Sequence, residues 1–377
     1  MKKLKIALAV MTMAVFLAAC SSGDKTPAET PAEIPAESPA ESPAEEPAEN
    51  PVETPEQGSS DNDVMKVEDL YPFLPDVMRV YEGMGNEFAA YDEYVDFMND
   101  TRIQLRMNNG GTEIVRVLEK KDGVLKEIIN LPETYYKENF LDKAPNADRI
   151  LLMEPIAVGT TWDNQGEKNT ITSVDKEIVT PYGTYVAVEV TRETVSDSGS
   201  YTNIDYYAEG VGLIKTVNIG EGYEVSSSLE KVVENAVNKV VVNFYYPNAN
   251  DERIFLYRKE LSFTTNDIPR NLLIEAYKDL PKEAAPVLSV STKVNYLYLN
   301  QDGMVYVDLS KEFLTEMNAG AGYEMLILQS LANTFGDYYG ASKVMLTVDG
   351  KTYESGHILL EKFEPLEVNY DSIVDMN

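Results

Sequence analysis

The class of structure in the C-terminal half of the chain is indicated by the stretch Met304-Val305-Tyr306-Val307-Asp308-Leu309-Ser310-Lys311-Glu312-Phe313-Leu314. Its first six residues are typical of a β-strand, and the turn residues Gln301-Asp302-Gly303 predict a hairpin with a preceding strand at Lys293–Leu299. Ser310 is a residue type that caps helices, so we expect a short helix carrying Phe313 directly after the strand. The stretch therefore indicates mixed α and β structure.

Elements on both sides of this stretch follow the same mixed pattern. Apolar periodicity marks their cores, and turn residues, prolines and glycines mark their ends. The predicted elements are strands at Val240–Tyr246 and Arg253–Phe263, a helix at Asp267–Leu280, a helix from Gly320 to Gly336, and a hairpin of Lys343–Val348 and Lys351–Tyr353. Met325, Leu328, Ala332 and Phe335 share one side of the second helix, which we expect to face the core.

This order of elements resembles the GerMN domain, a sporulation and spore-germination module of Gram-positive envelope proteins. The motifs that carry the resemblance are Val241-Val242-Asn243-Phe244-Tyr245, Val305-Tyr306-Val307-Asp308-Leu309-Ser310 with Phe313, the helix Ile327–Phe335, and Val344-Met345-Leu346-Thr347-Val348-Asp349-Gly350. They lie between Asn238 and Glu364. The resemblance implies a compact α/β sandwich that acts through protein or wall contacts, and it implies no catalytic residues.

The motif residues of this region have a structural and a catalytic interpretation. Residues with an expected structural role are Val307, Asp308, Leu309, Ser310, Phe313, Asp349 and Gly350. Asp308 is expected at the strand-to-helix junction and Asp349-Gly350 in a type I′ turn. The catalytic alternative pairs Asp308 with Glu312 as acid and base for the cleavage of wall glycan. His357 has no partner imidazole and is expected in a strand or loop.

Residues 64–234 are predicted to be β-rich. The turn dipeptides Asn109-Gly110, Asp122-Gly123 and Tyr182-Gly183 separate runs of strand-forming residues, which favours an antiparallel meander. Two passages, residues 151–162 and 206–215, resemble a recurring β-domain of bacterial surface lipoproteins. In that family the tryptophan that ends the first passage lies in the core, and a Tyr-Ala-x-Gly-Val-Gly turn leads into a late strand. The resemblance implies no catalysis.

Tyrosine is frequent in this β-rich region. The residues concerned are Tyr91, Tyr94, Tyr135, Tyr136, Tyr201, Tyr206 and Tyr207. Tyrosine forms strands well, because its ring packs while its hydroxyl stays in water. Exposed rings would instead stack on sugars or anchor a protein partner. A third interpretation is that the meander curls around an acyl chain, which would make the protein a lipid or hydrophobe carrier.

A repeated tripeptide, Pro-Ala-Glu, occupies most of the preceding segment. Six copies recur every fourth residue between Pro27 and Glu49. Prolines at this spacing forbid a regular helix, and the glutamates repel one another, so we expect a disordered, extended linker over residues 20–63. Such a linker would hold the folded part away from a membrane.

The first twenty residues have the pattern of an export signal. Lys2, Lys3 and Lys5 precede an apolar run that is short for a membrane span. The run ends at Leu17-Ala18-Ala19-Cys20, which resembles the lipobox of bacterial lipoproteins. In that family the cysteine thiol receives a diacylglyceryl group, and the chain is cut directly before it. The resemblance implies that Cys20 is lipidated and that two or more acyl chains attach the protein firmly to the membrane.

The composition excludes several classes of function. The chain has 63 Asp and Glu against 32 Lys and Arg, and a net charge of −31. Such an acidic protein is not expected to bind nucleic acid, anionic head groups or anionic wall polymers. With one histidine and one cysteine, a catalytic triad or a zinc site of several His or Cys ligands is not expected. No cofactor or metal is expected either.

The sequence therefore predicts an α+β envelope lipoprotein without enzymatic activity. Its expected parts are a signal peptide at 1–19, the linker at 20–63, a β-rich domain at 64–234, a GerMN-like domain at 238–364 and a tail at 365–377. We expect it on the extracellular face of the cell membrane, as a binding or scaffold module in the envelope. Expected partners are an envelope protein or peptidoglycan, and homo-oligomerisation is left open. Sporulation or germination is the role that the resemblance suggests.

Overall fold

The computed structural model of the chain describes residues 65–196, 199–248 and 250–376. The predicted signal peptide, lipobox with Cys20, and linker lie outside the described residues. All described residues belong to one compact unit. Within it, an antiparallel sheet precedes a mixed α and β region along the chain.

Residues 65–234 form a large antiparallel sheet, which confirms the predicted β-rich region. Its elements are α1 (Val67–Leu70), β1 (Met78–Met84), β2 (Tyr91–Met98), β3 (Arg102–Asn108), β4 (Glu113–Lys121), β5 (Val124–Pro132), β6 (Arg149–Met153), β7 (Thr161–Asn164), β8 (Glu167–Val179), β9 (Thr184–Ser196), β10 (Gly199–Ala208), β11 (Gly212–Gly220) and β12 (Tyr223–Val233). Tight turns connect several of these strands. At the turn from β4 to β5, Asp122 and Gly123 have positive φ angles of 51° and 72°, as a type I′ turn requires.

The sheet consists of two meanders of consecutive strands, β1 to β6 and β7 to β12. Antiparallel pairing of β1 with β12 joins them, so that β6 and β7 lie at opposite ends of the strand order. Side chains connect these ends, because Trp162 Nε1 donates to Ile150 O at 3.0 Å and Asn164 Nδ2 donates to the same oxygen at 2.9 Å. The predicted core position of Trp162 is confirmed, since its side chain is buried.

Buried side chains from both meanders pack into one core. Leu105 and Leu125 come from the first meander, and Trp162 and Val190 come from the second. Helix α1 adds Leu70 to the same cluster, so the segment directly before the first strand helps to fill the space between the meanders.

Residues 238–376 contain the mixed α and β region. Its elements are β13 (Asn238–Pro247), β14 (Ile254–Phe263), α2 (Pro269–Lys278), β15 (Val294–Leu299), β16 (Val305–Leu309), α3 (Glu312–Thr315), α4 (Ala321–Tyr339), β17 (Lys343–Val348), β18 (Lys351–Thr352), β19 (Leu366–Glu367) and β20 (Ile373–Asp375). These bounds agree with the predicted strands, helices and hairpins to within a few residues, except at the end of α4.

Two small sheets enclose the long helix of this region. One has the order β13-β14-β20, and the other contains β15, β16, β17 and β18, with β19 paired to β17. Strands β16 and β17 are parallel, and α4 lies between them in the chain. The core contains Phe244 from the first sheet, Val307 and Leu346 from the second, and Leu331 and Phe335 from α4.

Helix α4 differs from its prediction in two respects. It continues past Gly336 and ends at Gly340, whose φ of 67° is the left-handed conformation that terminates helices. Gly336 is needed for another reason: a Cβ there would lie 2.2 Å from Val368 Cγ2. Met325 was expected in the core and is exposed, because Glu324 occupies the buried position and accepts a 2.7 Å hydrogen bond from Tyr353.

Residues 365–377, set apart in the sequence as a C-terminal tail, contribute two strands. Strand β19 pairs with β17, and β20 pairs in parallel with β14. The end of the chain therefore contacts both small sheets. The sequence signal was weak because these strands have only two and three residues.

Candidate functional site: a cleft between the large sheet and the C-terminal region

The structure brings the predicted motif residues together at the end of β16. Asp308 is buried, and both of its carboxylate oxygens accept hydrogen bonds. Thr347 Oγ1 donates to Oδ1 at 2.6 Å, Gly350 N donates to Oδ1 at 2.8 Å, and Asn295 Nδ2 donates to Oδ2 at 2.7 Å. Asp308 thus ties three segments of the sheet together.

The other motif residues surround Asp308. Val307, Leu309 and Phe313 are buried in the core, and Asp349-Gly350 forms the turn between β17 and β18, with positive φ at both residues. The predicted capping role of Ser310 is wrong. Its hydroxyl accepts a hydrogen bond from Lys293 N at 3.0 Å, and Lys311 occupies the N-cap position of α3 without a side-chain cap.

This geometry does not favour the pairing of Asp308 with Glu312 as a glycosidase acid and base. Asp308 is held by three donors at the buried end of β16, whereas Glu312 lies half-buried at the start of α3. A hydrogen bond from the Ser310 hydroxyl is the main cause that lowers the pKa of Glu312, so it is a poor proton donor. His357 is exposed in a loop, where its backbone N–H donates to Ser355.

A cleft of about 380 Å³ lies between the large sheet and the start of β13. Residues from β1 to β4 and the segment after β5 line one side, and residues 237–241 line the other. The lining residues are Met78, Asp92, Tyr94, Arg106, Asn108, Glu113, Tyr135, Lys137, Val237, Asn238, Lys239, Val240 and Val241. This cleft combines polar, aromatic and apolar groups and is the candidate functional site.

A buried ionic cluster forms the inner wall of the cleft. Arg106 Nε donates to Asp96 Oδ2 at 2.8 Å, and its Nη1 donates to Glu113 Oε2 at 2.8 Å. Lys137 Nζ donates to the other oxygen of Asp96. Asp96, Arg106 and Lys137 are each less than 5% exposed. Both cations of the inner wall therefore have a carboxylate partner.

Burial and ion pairing shift the pKa values of these groups in opposite directions. Burial alone would raise the pKa of the Asp96 carboxyl, but Arg106 and Lys137 outweigh it and lower that pKa. Burial would lower the pKa of Arg106, and the carboxylates of Asp96 and Glu113 raise it instead. For Lys137, burial has the larger effect and lowers the pKa despite Asp96.

Lys137 also connects the cluster to the C-terminal region. Its ammonium group lies 5.3 Å from the ring centre of Tyr94 and 5.1 Å from that of Phe263, within the range of cation–π contacts. Its backbone N–H donates to the Tyr338 hydroxyl of α4 at 3.0 Å, and that hydroxyl lies 3.2 Å from Lys137 O. The same residue therefore contacts β2, β14 and α4.

Further hydrogen bonds join β2 to the loop after β14. Thr265 Oγ1 accepts from Asp76 N at 2.7 Å and donates to Val95 O at 2.8 Å, and Thr265 N donates to Asp76 Oδ1 at 2.6 Å. The buried Tyr94 hydroxyl donates to Phe263 O at 3.0 Å. The back of the cleft is thus a hydrogen-bonded joint between the large sheet and the C-terminal region.

The family of the C-terminal region follows from a comparison with protein-family models. Residues 243–354 match the model Germane, described as sporulation and spore germination. This region is a Germane domain. The match confirms the predicted family resemblance, and it includes every motif position of β16 and the β17–β18 turn. The joint lies where the Germane domain meets the large sheet, and residues 237–241, which line the cleft, directly precede the matched region.

Solved structures with similarity to this chain include domains of the same kind. The first GerMN domain of the sporulation protein GerM from Bacillus subtilis is 22% identical, over 34% of this chain and 97% of that chain, with a TM-score of 0.26. The tandem GerMN domains of that protein are 20% identical, over 34% of this chain and 46% of that chain, with a TM-score of 0.27.

A candidate lipoprotein from Clostridium perfringens is 19% identical, over 35% of this chain and 87% of that chain, with a TM-score of 0.23. A comparison with curated proteins finds none that matches the chain.

Two further findings apply to the described residues only. No helix among them is both long and apolar enough to cross a membrane. They also contain no group of three or more His, Cys, Asp or Glu side chains that could hold a metal ion.

The cleft was not predicted from the sequence, although one signal pointed to it. Asp96 lies between Val95 and Phe97, and all three side chains are buried. A carboxylate inside an apolar run needs a buried cationic partner. The sequence does not say which cation that is, because Arg106 and Lys137 lie on other segments and meet Asp96 only in the folded chain.

The interior of the large sheet does not favour the carrier interpretation. Carrying an acyl chain would need an open apolar cavity between the two meanders. Leu70 and Tyr71 instead pack there against residues of both meanders, including Trp162. Tyr206 and Tyr207 are buried as well, so these tyrosines support the packing interpretation.

Proposed function

We propose that the protein is a lipid-anchored, extracellular, non-catalytic binding module of the Gram-positive envelope that acts in sporulation or germination. The Germane domain supports the role, and the export pattern ending at Leu17-Ala18-Ala19-Cys20 supports the location. The partner is an envelope protein, bound in the cleft between the large sheet and the Germane domain. Cys20 carries the lipid, and the Pro-Ala-Glu linker sets the distance from the membrane.

The observation that carries a binding function is the pairing of the charged groups on the inner wall of the cleft. Arg106 and Lys137 are each paired with Asp96, and Glu113 is paired with Arg106. General acid–base catalysis needs a group that can gain and lose a proton beside the substrate. A carboxylate held between two cations, with a lowered pKa, performs this task poorly. Ion-paired side chains that are fixed in position are suited to recognising the shape of a binding partner.

The joint behind the cleft supports the same proposal. Reciprocal hydrogen bonds between Thr265 and Asp76 fix the loop after β14 against the segment that leads into β1, and Tyr94 fixes the end of β14 itself. A site held in its bound shape loses less conformational entropy on association. The cleft would therefore bind a partner without first being assembled.

Protein is favoured over anionic wall polymer as the partner because of charge. The chain carries a net charge of −31, which repels polyanions at long range. The cations of the cleft wall are already neutralised by Asp96 and Glu113, so they offer no compensating attraction. Peptidoglycan contact is the alternative outcome of the test.

Photo-crosslinking in intact cells tests the proposal. A photoreactive amino acid replaces Val241, which lines the cleft and is 62% exposed, or Val179, an exposed control that does not line the cleft. We expect a discrete protein adduct from position 241 and none from 179. Adducts to wall fragments alone, or equal adducts from both positions, would contradict the protein-binding function.

The lipid anchor is tested in the same cells by fractionation of a Cys20→Ala variant. We expect the wild-type chain in the membrane fraction and the variant released into the medium. A variant that stays in the membrane fraction would show that the attachment does not depend on Cys20.

A further inference from the structure

Strand β13 is an edge strand, and its pairing shows which backbone groups face away from the sheet. Tyr245 N donates to Thr334 Oγ1 at 3.0 Å, and Tyr245 O accepts from the Tyr277 hydroxyl at 2.9 Å. Both backbone groups therefore point away from β14. On the opposite strand, Leu256 pairs with Tyr245 in register, and its carbonyl accepts from Met376 N on the far side of β14. Tyr245 and Leu256 thus form a pair without mutual hydrogen bonds.

The same orientation recurs at every second residue of β13. The register with β14 is unbroken from Asn238 to Pro247, so Val241 and Lys239 have the orientation of Tyr245. Their N–H and C=O groups face outward. Within the described residues, no hydrogen bond to these backbone groups appears from any other segment. The cleft is lined by the first four residues of β13, 238–241, and by Val237 directly before them.

We propose that an extended segment of the partner protein binds in the cleft as an additional strand beside β13. This inference rests on the proposed function and specifies how the partner is recognised. The outward N–H and C=O groups of Lys239 and Val241 would form the ladder with the added strand. At its far end the edge is closed, because Thr334 and Tyr277 already occupy the backbone groups of Tyr245. Lys239 and Val241 are the outward-facing residues of this edge that line the cleft.

The chemistry of the cleft favours a partly apolar segment without acidic side chains. Val241 and Val237 are 62% and 45% exposed beside the open edge. Each cation of the lining is paired: Arg106 and Lys137 with Asp96, and Lys239 with Glu260 at 2.7 Å. An acidic side chain entering the cleft would lose hydration without gaining an unpaired cation. Valine, isoleucine, threonine and serine side chains suit such a site, and the first three also favour strands.

The open edge is unusual for a folded protein and supports a binding role. Proteins protect exposed strand edges with charges, prolines or covering segments, because such edges pair with other chains. Here only Lys239 is charged within the open part, and its ammonium group is engaged by Glu260. The opposite wall of the cleft includes Tyr94 and Asn108.

Binding of defined peptides to the full chain tests the strand-addition mode. The probe is a library of acetylated and amidated peptides of about eight residues, composed of Val, Ile, Thr and Ser. The decisive variant is Val241→Pro, which removes an outward N–H that is not part of the β13–β14 ladder. Val241→Thr is the matched control, since it keeps the N–H and nearly the same side-chain volume. Denaturant unfolding establishes that both variants fold.

We expect at least one peptide to bind the wild-type chain and to slow amide exchange at Lys239 and Val241. Val241→Pro should weaken this binding about tenfold or more, and clearly more than Val241→Thr, which keeps the N–H. As a second measurement, N-methylation of alternate peptide bonds in the probe should abolish binding. This comparison does not depend on the folding of any variant.

Three outcomes would overturn the inference. One is that no peptide of the library binds. Another is that the binding survives Val241→Pro or N-methylation. The third is that peptides bind without protection of the two amides. Failure here combined with a protein adduct from position 241 in cells would overturn strand addition while leaving the cleft as a protein-binding site. Absence of the adduct would overturn the proposed function itself.

Discussion

Asp96 is the residue on which the candidate site depends most directly. It is buried, and its two oxygens are shared between the guanidinium group of Arg106 and the ammonium group of Lys137. Lys137 in turn contacts Phe263 and Tyr338 of the C-terminal region. Removing one partner from a buried ionic group leaves the others uncompensated, which costs more than the pair itself contributes.

Asp96→Asn is therefore expected to lower the free energy of unfolding at neutral pH by about 3–5 kcal/mol. The amide keeps the shape of the side chain but leaves Arg106 and Lys137 with reduced compensation. Urea denaturation of the wild-type and variant chains measures the difference. Asp142→Asn, at an exposed position, is the control and should have almost no effect. Equal stability of the Asp96 variant and the wild type would show that the cluster does not stabilise the fold.

The contribution of Asp96 should also depend on pH. Its pKa is lowered in the folded chain, so as the pH falls the unfolded chain takes up the proton first. The stabilisation is complete above the unfolded pKa of about 4 and is lost as the pH falls from there through the folded pKa. We expect the stability difference between wild type and Asp96→Asn to shrink over that range. A difference that stays constant down to the acid limit of folding would contradict this linkage.

At the level of elements, α4 determines how the C-terminal region is assembled. It lies in the chain between the parallel strands β16 and β17, and it supplies Thr334 to the edge of β13 and Tyr338 to the joint. Its path past Gly336 was not predicted, because a glycine near a helix end usually terminates the helix. The reason for glycine here is a tertiary contact with Val368, which follows β19.

Gly336→Ala is expected to destabilise the protein by about 1–3 kcal/mol, although alanine favours helices. The added methyl group would lie 2.2 Å from Val368 Cγ2 and 2.8 Å from Ala341 O, so the helix and the C-terminal segment must separate. Gly322→Ala in the first turn of the same helix is the control, because nothing lies within 4 Å of its Cβ position. Thermal unfolding of both variants measures the effect. A stabilised Gly336→Ala variant would refute the close contact.

At the level of the whole molecule, the large sheet and the Germane domain behave as one body in the described structure. Hydrogen bonds of Tyr94 and Thr265 and the contacts of Lys137 cross the joint between them. The rings of Tyr136 and Tyr339 add a contact, with their centres 5.0 Å apart. The sequence predicts separate domains at 64–234 and 238–364, and this division stays a prediction about folding units.

We expect one cooperative unfolding transition for the full chain. Tryptophan fluorescence reports on the large sheet, because Trp162 is the only tryptophan. The helical far-UV circular dichroism signal reports mainly on α2 and α4 of the C-terminal region. Because the joint couples the two regions, both signals should change at the same urea concentration. Two separated midpoints would show that the joint does not couple them.

The features of this protein that could be predicted are those that depend on residues close together in the sequence. Alternating apolar residues, turn dipeptides and helix signals identified the antiparallel sheet, the mixed C-terminal region and most element bounds. The match to the Germane model confirmed the family predicted from the motifs around Asp308. These signals depend on residues that are neighbours in the chain, so they can be read without the fold.

The candidate site depends on contacts between distant segments, so it is visible only in the folded chain. Asp96, Arg106 and Lys137 have ordinary sequence surroundings and meet because the strands of the large sheet place them side by side. The open edge of β13 exists because β14 pairs on one side only, and α4 covers just its far end. By itself the sequence determined the elements and the family. Packing determines which charged side chains have an ionic partner and which backbone groups of β13 have no hydrogen-bond partner among the described residues, because the partners come from distant segments of the chain.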